Sequence, residues 1–279
     1  DRYRPFMNYA RYYGYYTNKE PNIDSSFYRP VKELDLNSLS NLSFKENLND
    51  IKSWYTKDVD FSNYATVELY YDAQKEALQK VFENGLLADY YTYLQLTEQV
   101  NFGRGIDKSQ KDIEAFKNYV KNPVLLSLLD QNNKPWEPLR FGKKAPYFTA
   151  RTIDEKTTAF SDLQGKRLYI DVWATWCKPC IREIPALKKL EEDLSEEPVQ
   201  FVSISIDKDK DKQKWKDFVK NKELGGIQLI VDGDWKSDFA ISYKVSGIPR
   251  FMIIDSDGTI INANAPRPSD PAVKDALLN

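Results

Sequence analysis

The chain has 279 residues, 41% hydrophobic and 29% charged, a globular balance with room for two ordinary domains or one large one. A net charge of -2 provides no field for nucleic acid or anionic lipid, and no apolar run nears the ~18 residues that span a bilayer. The absence of histidine excludes Ser-His-Asp and Cys-His catalysis and most imidazole metal sites. With only two cysteines, a Cys₄ metal site and a multi-disulfide framework are excluded too, so neither metal nor cofactor is expected.

The chain begins with Asp1 rather than Met, and no apolar signal stretch follows. Processing or a missing N-terminus is therefore expected, and membrane anchoring through such a segment stays open. The first residues are rich in Tyr, Asn and Pro, with a cluster at Tyr12, Tyr13, Tyr15 and Tyr16 that fits either a ligand surface or aromatic packing. Ala65 to Thr97 carries helical spacing through Leu69, Ala73, Ala77, Val81 and Phe82, with Gly85 as a break. Shorter helices are predicted at Asp112 to Val120 and Pro123 to Leu129, the second with proline in its first turn. Of 18 tyrosines only Tyr147, Tyr169 and Tyr243 lie beyond residue 140. That shift, and the Asn, Pro, Gly and Lys between Gln131 and Lys144, divide the chain into a mostly helical domain over residues 1–135 and a second domain over 136–279.

The second domain alternates strand and helix. Strands are predicted at Arg167 to Ala174, Val199 to Ile206 and Ile227 to Val231, and helices at Pro179 to Leu194 and Lys212 to Lys220. A short helix follows at Trp235 to Tyr243. A hairpin then runs from Arg250 to Asn262 with Asp257-Gly258 at its turn, and a last helix spans Asp270 to Leu278. Alternation followed by a hairpin implies an α/β fold with a mixed central sheet flanked by helices.

Trp176-Cys177-Lys178-Pro179-Cys180 follows a predicted strand and opens a predicted helix. Two cysteines three apart can bridge there, and the first lies beside unpaired N–H groups and the positive end of the helix dipole. A shift of a thiol pKa from about 8.5 to about 7 would raise the thiolate fraction at neutral pH roughly tenfold. The expected cycle has Cys177 attack a partner disulfide and Cys180 resolve the mixed disulfide. The alternative, a zinc half-site, needs ligands from elsewhere.

The stretch Arg167 to Leu187 resembles the active-site segment of the thioredoxin superfamily, most closely its TlpA/ResA-type members. The matching features are the W-A-x-W-C-x-P-C turn and Pro185, eight residues past Cys177. Gly142 to Pro146 and Phe160 to Lys166 are similar to the family's entry hairpin, and Gly247-Ile248-Pro249 resembles its cis-proline loop. The resemblance spans residues 142–279 and leaves the first ~135 uncovered.

The resemblance implies a cis Pro249 facing the cysteines, with the backbone of Ile248 pairing to an extended substrate; an ordinary trans turn is the alternative. It implies that Asp171 takes the Cys180 proton, against the alternative of a hydrogen-bonded core Asp. Glu183 matches an acidic residue that influences thiol ionisation, or faces solvent. Where thioredoxins often carry a lysine beside the buried acid, this chain has Ser203. Trp176, Pro179, Gly247 and Ile248 would form an apolar substrate platform, with Lys178, Arg182 and Arg250 adding positive charge nearby.

The resemblance further implies a bacterial, periplasmic or otherwise extracytoplasmic thiol–disulfide oxidoreductase acting in the reductase direction. Its partners would be protein or peptide disulfides and an upstream thiol reductant. A second possibility is a redox-switched binding or adaptor protein whose N-terminal domain carries the main function. A peroxiredoxin-type peroxidase would want Thr where Ala174 stands, and copper delivery usually needs a histidine.

Overall fold

The computed structural model describes residues 86–279. The Tyr12 to Tyr16 cluster and most of the predicted helix over Ala65 to Thr97 lie outside the described residues. Leu94 to Asn279 belong to one compact unit.

The segment ahead of the sheet is helical: α1 Leu86–Phe102, the single turn α2 Gly105–Lys108, α3 Gln110–Tyr119 and α4 Pro123–Asn133. Asn122 caps α4, its side-chain oxygen accepting from Val124 N at 2.9 Å and Leu125 N at 3.3 Å, and Pro123 occupies the first turn. Both devices satisfy or remove orphan N–H groups at the helix start. A 3₁₀ helix, Lys134–Leu139, follows, with Trp136 and Leu139 buried. Residues read from composition as a break thus contribute two core side chains.

Seven strands form one sheet, ordered β2-β1-β5-β4-β3-β6-β7. They are β1 Thr149–Thr152, β2 Thr157–Ala159, β3 Arg167–Trp173, β4 Val199–Ser205, β5 Ile227–Ile230, β6 Arg250–Ile254 and β7 Ile260–Asn262. The central trio β3, β4 and β5 is parallel, and β6 runs antiparallel to β3. The crossover helices are α5 Lys178–Asp193 and α6 Lys212–Asn221, while α7 Asp238–Ser242 and α8 Val273–Leu278 are short. This is a thioredoxin-like arrangement, with strands near-continuously apolar because helices cover both faces. One core layer packs Leu187, Leu190 and Leu194 of α5 and Val273 and Leu277 of α8 onto Tyr169, Phe201 and Phe251 of the sheet.

One local expectation shifts and another holds. The entry hairpin is the antiparallel pair β1–β2, in register from Thr149↔Ala159 to Arg151↔Thr157. Residues 142–146 instead run beside the last hairpin, with Lys144 bridged to Thr259. The Asp257-Gly258 turn is where the sequence places it, Gly258 taking a φ of 82° that a side chain would resist.

Candidate functional site

Strand β3 delivers the site. It is hydrogen-bonded on both sides, to β4 and β6, and ends at Trp173. The chain then turns through Ala174-Thr175-Trp176 into α5, whose N-cap is Cys177. Cys177 and Cys180 are joined by a disulfide with Cα atoms 5.3 Å apart, and each is 4% exposed. Cys180 N donates to Cys177 Sγ at 3.2 Å. The first sulfur therefore sits against an orphan N–H of the helix start, a contact that strengthens with negative charge on sulfur. Pro179 stands in the first turn, where its missing N–H is no loss.

The turn ahead of Cys177 is clasped by a residue the sequence reading did not single out. Asp207, buried just past β4, accepts from Thr175 N at 2.9 Å, from the Thr175 hydroxyl at 2.8 Å and from the Ser205 hydroxyl at 2.8 Å. Three donors make it affordable to bury a carboxylate here. The partners are 32 residues apart, so no local pattern could have revealed the contact.

Asp171 lies opposite Ser203 of β4 and Phe251 of β6, so the position where a lysine was sought carries a hydroxyl. Burial is the main cause of a pKa raised to about 8. The carboxylates of Glu183 and Glu191 add to the rise, and a hydrogen bond with Ser203 opposes it. Asp171 also lines a small cavity with Cys180, Trp173, Ser203, Gln228 and Glu191, of ≈ 10 Å³. Asp171 Oδ1, Trp173 Nε1 and Gln228 Oε1 are buried without a hydrogen-bond partner among the described residues. A polar cavity of about this volume suits a single water.

Glu183 is mostly buried and turned toward the C-terminal segment. It accepts from Ser269 N at 3.2 Å and pairs with Arg267 at 3.7 Å. Pro249 follows a cis Ile248–Pro249 bond. Because Arg250 pairs with Val172 in the β3–β6 ladder, Pro249 lies at the end of the sheet where β3 hands the chain to Cys177. Trp176 is 48% exposed and its ring centroid is 6.3 Å from that of Trp235.

Arg250 corrects the expected charge pattern. It is buried, with Nε and Nη2 donating to Ala263 O at 3.0 and 2.8 Å and Nη1 to Lys244 O at 2.9 Å. Its guanidinium lies 4.9 Å from the Trp136 ring centroid, a cation–π contact. It ties the helical segment to the start of β6 instead of presenting charge to solvent.

Among the described residues, no cluster of three or more acidic or thiol groups could hold a metal ion, and no helix is long and apolar enough to cross a membrane.

Comparison with known proteins follows the same outline. Residues 140–277 match the Redoxin family model. The thiol-disulfide oxidoreductase ResA of Bacillus cereus is 32% identical over 125 residues, 45% of this chain and 69% of the relative. ResA of Oceanobacillus iheyensis is 36% identical over 141 residues, 49% of this chain and 69% of the relative. The thioredoxin domain of a thiol-disulfide oxidoreductase from Bacteroides vulgatus superposes with a TM-score of 0.44 at 23% identity, covering 50% of this chain and 99% of that one. A buried disulfide at a helix start on this sheet and relatives of the same chemistry over the same residues lead to one conclusion: through its C-terminal region, the chain belongs to the ResA-type thiol–disulfide oxidoreductases of the thioredoxin-like superfamily.

Proposed function

We propose that this oxidoreductase reduces protein disulfides in an extracytoplasmic compartment, with residues 136–279 carrying the exchange site and residues 1–135 an accessory region. In this reading Cys177 thiolate attacks one sulfur of the substrate disulfide, forming a Cys177–substrate bond and releasing the other substrate sulfur as a thiol. Cys180 then gives its proton to Asp171 and attacks Cys177, which expels the reduced substrate and closes the 177–180 disulfide. A thiol reductant restores the dithiol by the same exchange. Trp176, Pro179, Ile248 and Pro249 form the docking surface, Ile248 offering its backbone to an extended substrate strand.

The observation that carries the reductase direction is the charge behind the cysteines. Asp171, on the cavity that Cys180 also lines, is influenced by the carboxylates of Glu183 and Glu191, with no cation among the groups that shift it. Negative charge opposes thiolate, so it disfavours the dithiol and favours the disulfide. Strong oxidants do the reverse by stabilising their reduced form. The acidic group Glu183 keeps this influence while pinned by Arg267 and Ser269.

Equilibration of the Cys177/Cys180 couple against a glutathione or dithiothreitol buffer tests the direction. The expected potential lies near that of thioredoxins, roughly -270 mV, and a value near roughly -120 mV would reverse the assignment to oxidant. Insulin-disulfide reduction tests the roles: Cys177→Ser abolishes turnover, whereas Cys180→Ser accumulates a mixed disulfide on Cys177.

A further inference from the structure

We infer that the helical segment ahead of the sheet supplies part of the substrate surface, with Phe102 receiving an apolar side chain of the substrate polypeptide about two residues from its exchanging cysteine. The inference rests on the reading of protein disulfides as substrates.

The reacting sulfurs are nearly sealed, Cys177 being 4% exposed. A polypeptide disulfide can reach them only by lying on the surface around them, so the side chains that flank that approach select among substrates. On one flank stand Trp176 and Trp235, exposed by 48% and 36%. Phe102, 62% exposed, ends α1 and lies against the cis-proline loop: a Cβ placed on Gly247 would sit 3.5 Å from Phe102 Cε1. Gly247 is two residues before Pro249 in the chain that feeds β6. A substrate strand added along Ile248 advances about 3.3 Å per residue, so the residue beside Phe102 is about two from the one at Pro249.

A lone exposed phenylalanine is ordinary. This one is different because the backbone around it is fixed to the sheet. Asn264 Nδ2 donates to Val100 O at 3.3 Å and to Gly103 O at 3.4 Å. Trp136 Nε1 donates to Asn101 Oδ1 at 2.8 Å, and the same indole ring stacks on Arg250, the residue after Pro249. Asn101 and Trp136 thus brace α1 against the strand whose entry loop Phe102 overlies. The ring is held exposed at a fixed place against the cis-proline loop, and an apolar side chain from a bound strand would remove it from water. Continuity with the exchange site identifies the occupant as substrate chain.

The test uses peptides carrying one cysteine as a mixed disulfide with thionitrobenzoate, identical except for Leu or Ser two residues to either side of the cysteine. Release of the chromophore by excess reduced protein, one dithiol consumed per peptide, gives a second-order rate constant for each peptide. The wild type should prefer Leu over Ser by roughly tenfold at one of the two positions. Phe102→Ala should bring that ratio near one, and Phe102→Leu should restore part of it. An unchanged ratio in Phe102→Ala, or equal slowing on both peptides, overturns the inference. So does a Phe102→Ala effect confined to the mass measured by sedimentation, which would assign the ring to self-association. A wild type that cleaves none of the peptides, nor hydroxyethyl disulfide, refutes the underlying reductase reading instead.

Discussion

Asp171→Asn isolates the buried acid through its effect on stability. In the oxidised protein the cysteines do not titrate, and the Asp171 carboxyl moves from an ordinary value of 3.8 to about 8. Below about pH 4 the folded and unfolded chains both hold this proton, and it contributes no difference. Between about pH 4 and pH 8 the unfolded chain has released the proton while the folded chain keeps it. Stability then falls by about 1.4 kcal/mol per pH unit, and above pH 8 the full loss is about 6 kcal/mol. Asparagine cannot titrate, so the stability of the variant relative to wild type should rise by about 2.7 kcal/mol between pH 5 and pH 7. The packing cost of the amide changes the offset between the curves but not this slope. Glu183 and Glu191 of α5, whose charges add to the rise at Asp171, remain in both proteins and cancel to first order. Urea unfolding of both oxidised forms at pH 5, 6, 7 and 9 gives the slope. Curves that stay parallel across this range would refute the assignment of Asp171 as a group protonated at neutral pH.

Three further substitutions test the frame that holds the site. Asp207→Ala strands the buried Thr175 N–H and two hydroxyls. It should cost about 3 kcal/mol in denaturant unfolding of the oxidised protein, and a loss below about 0.5 kcal/mol would remove Asp207 as the clasp of the Cys177 turn. Gly226→Ala puts a Cβ 2.8 Å from Phe201 O at a φ of 60°, whereas Gly142→Ala has a φ of 80° and open space around the new methyl. Both carry a left-handed backbone cost of roughly 1 kcal/mol, but only Gly226→Ala adds a clash, so its melting temperature should drop further. Equal drops would show that the β5 entry loop yields around the added carbon.

How much of this was legible follows from the range of each interaction. The β3–turn–α5 unit could be read because its signals are local: an apolar strand, a helix-start proline and cysteines three apart. The Asp-Gly turn is equally local. Asp207 was missed because its partner lies 32 residues away and Ile206-Asp207 reads as an ordinary strand exit. Arg250 was read as surface charge because arginine usually is. Its burial depends on the carbonyls of Ala263 and Lys244 and on Trp136, which lies in a segment taken for a break. The resemblance puts the entry hairpin at Gly142 to Pro146 and Phe160 to Lys166, on either side of the pair that forms. The pairing is set instead by Thr149 to Ala159, whose register leaves Phe160 to pack beside Phe148. In each case the sequence shows the residue, and a long-range partner decides its orientation.

That dependence on partners also sets Asp171 apart from Arg250, Asp207 and Glu183. Arg250 is saturated by two carbonyls and an indole face. Asp207 is saturated by a backbone N–H and two hydroxyls. Glu183 is drawn to Arg267 and Ser269. Each of these groups is fixed in charge and direction by what it touches, and each holds a piece of backbone in place. Asp171 keeps one oxygen, Oδ1, with no hydrogen-bond partner among the described residues, on a cavity that Cys180 also lines. The role proposed above for Asp171, as acceptor of the Cys180 proton, rests on that shared cavity and on a carboxyl that burial raises to about 8. A lysine at Ser203 would pull the acid back toward its usual range. With the Ser203 hydroxyl there instead, burial holds the Asp171 carboxyl up at about 8.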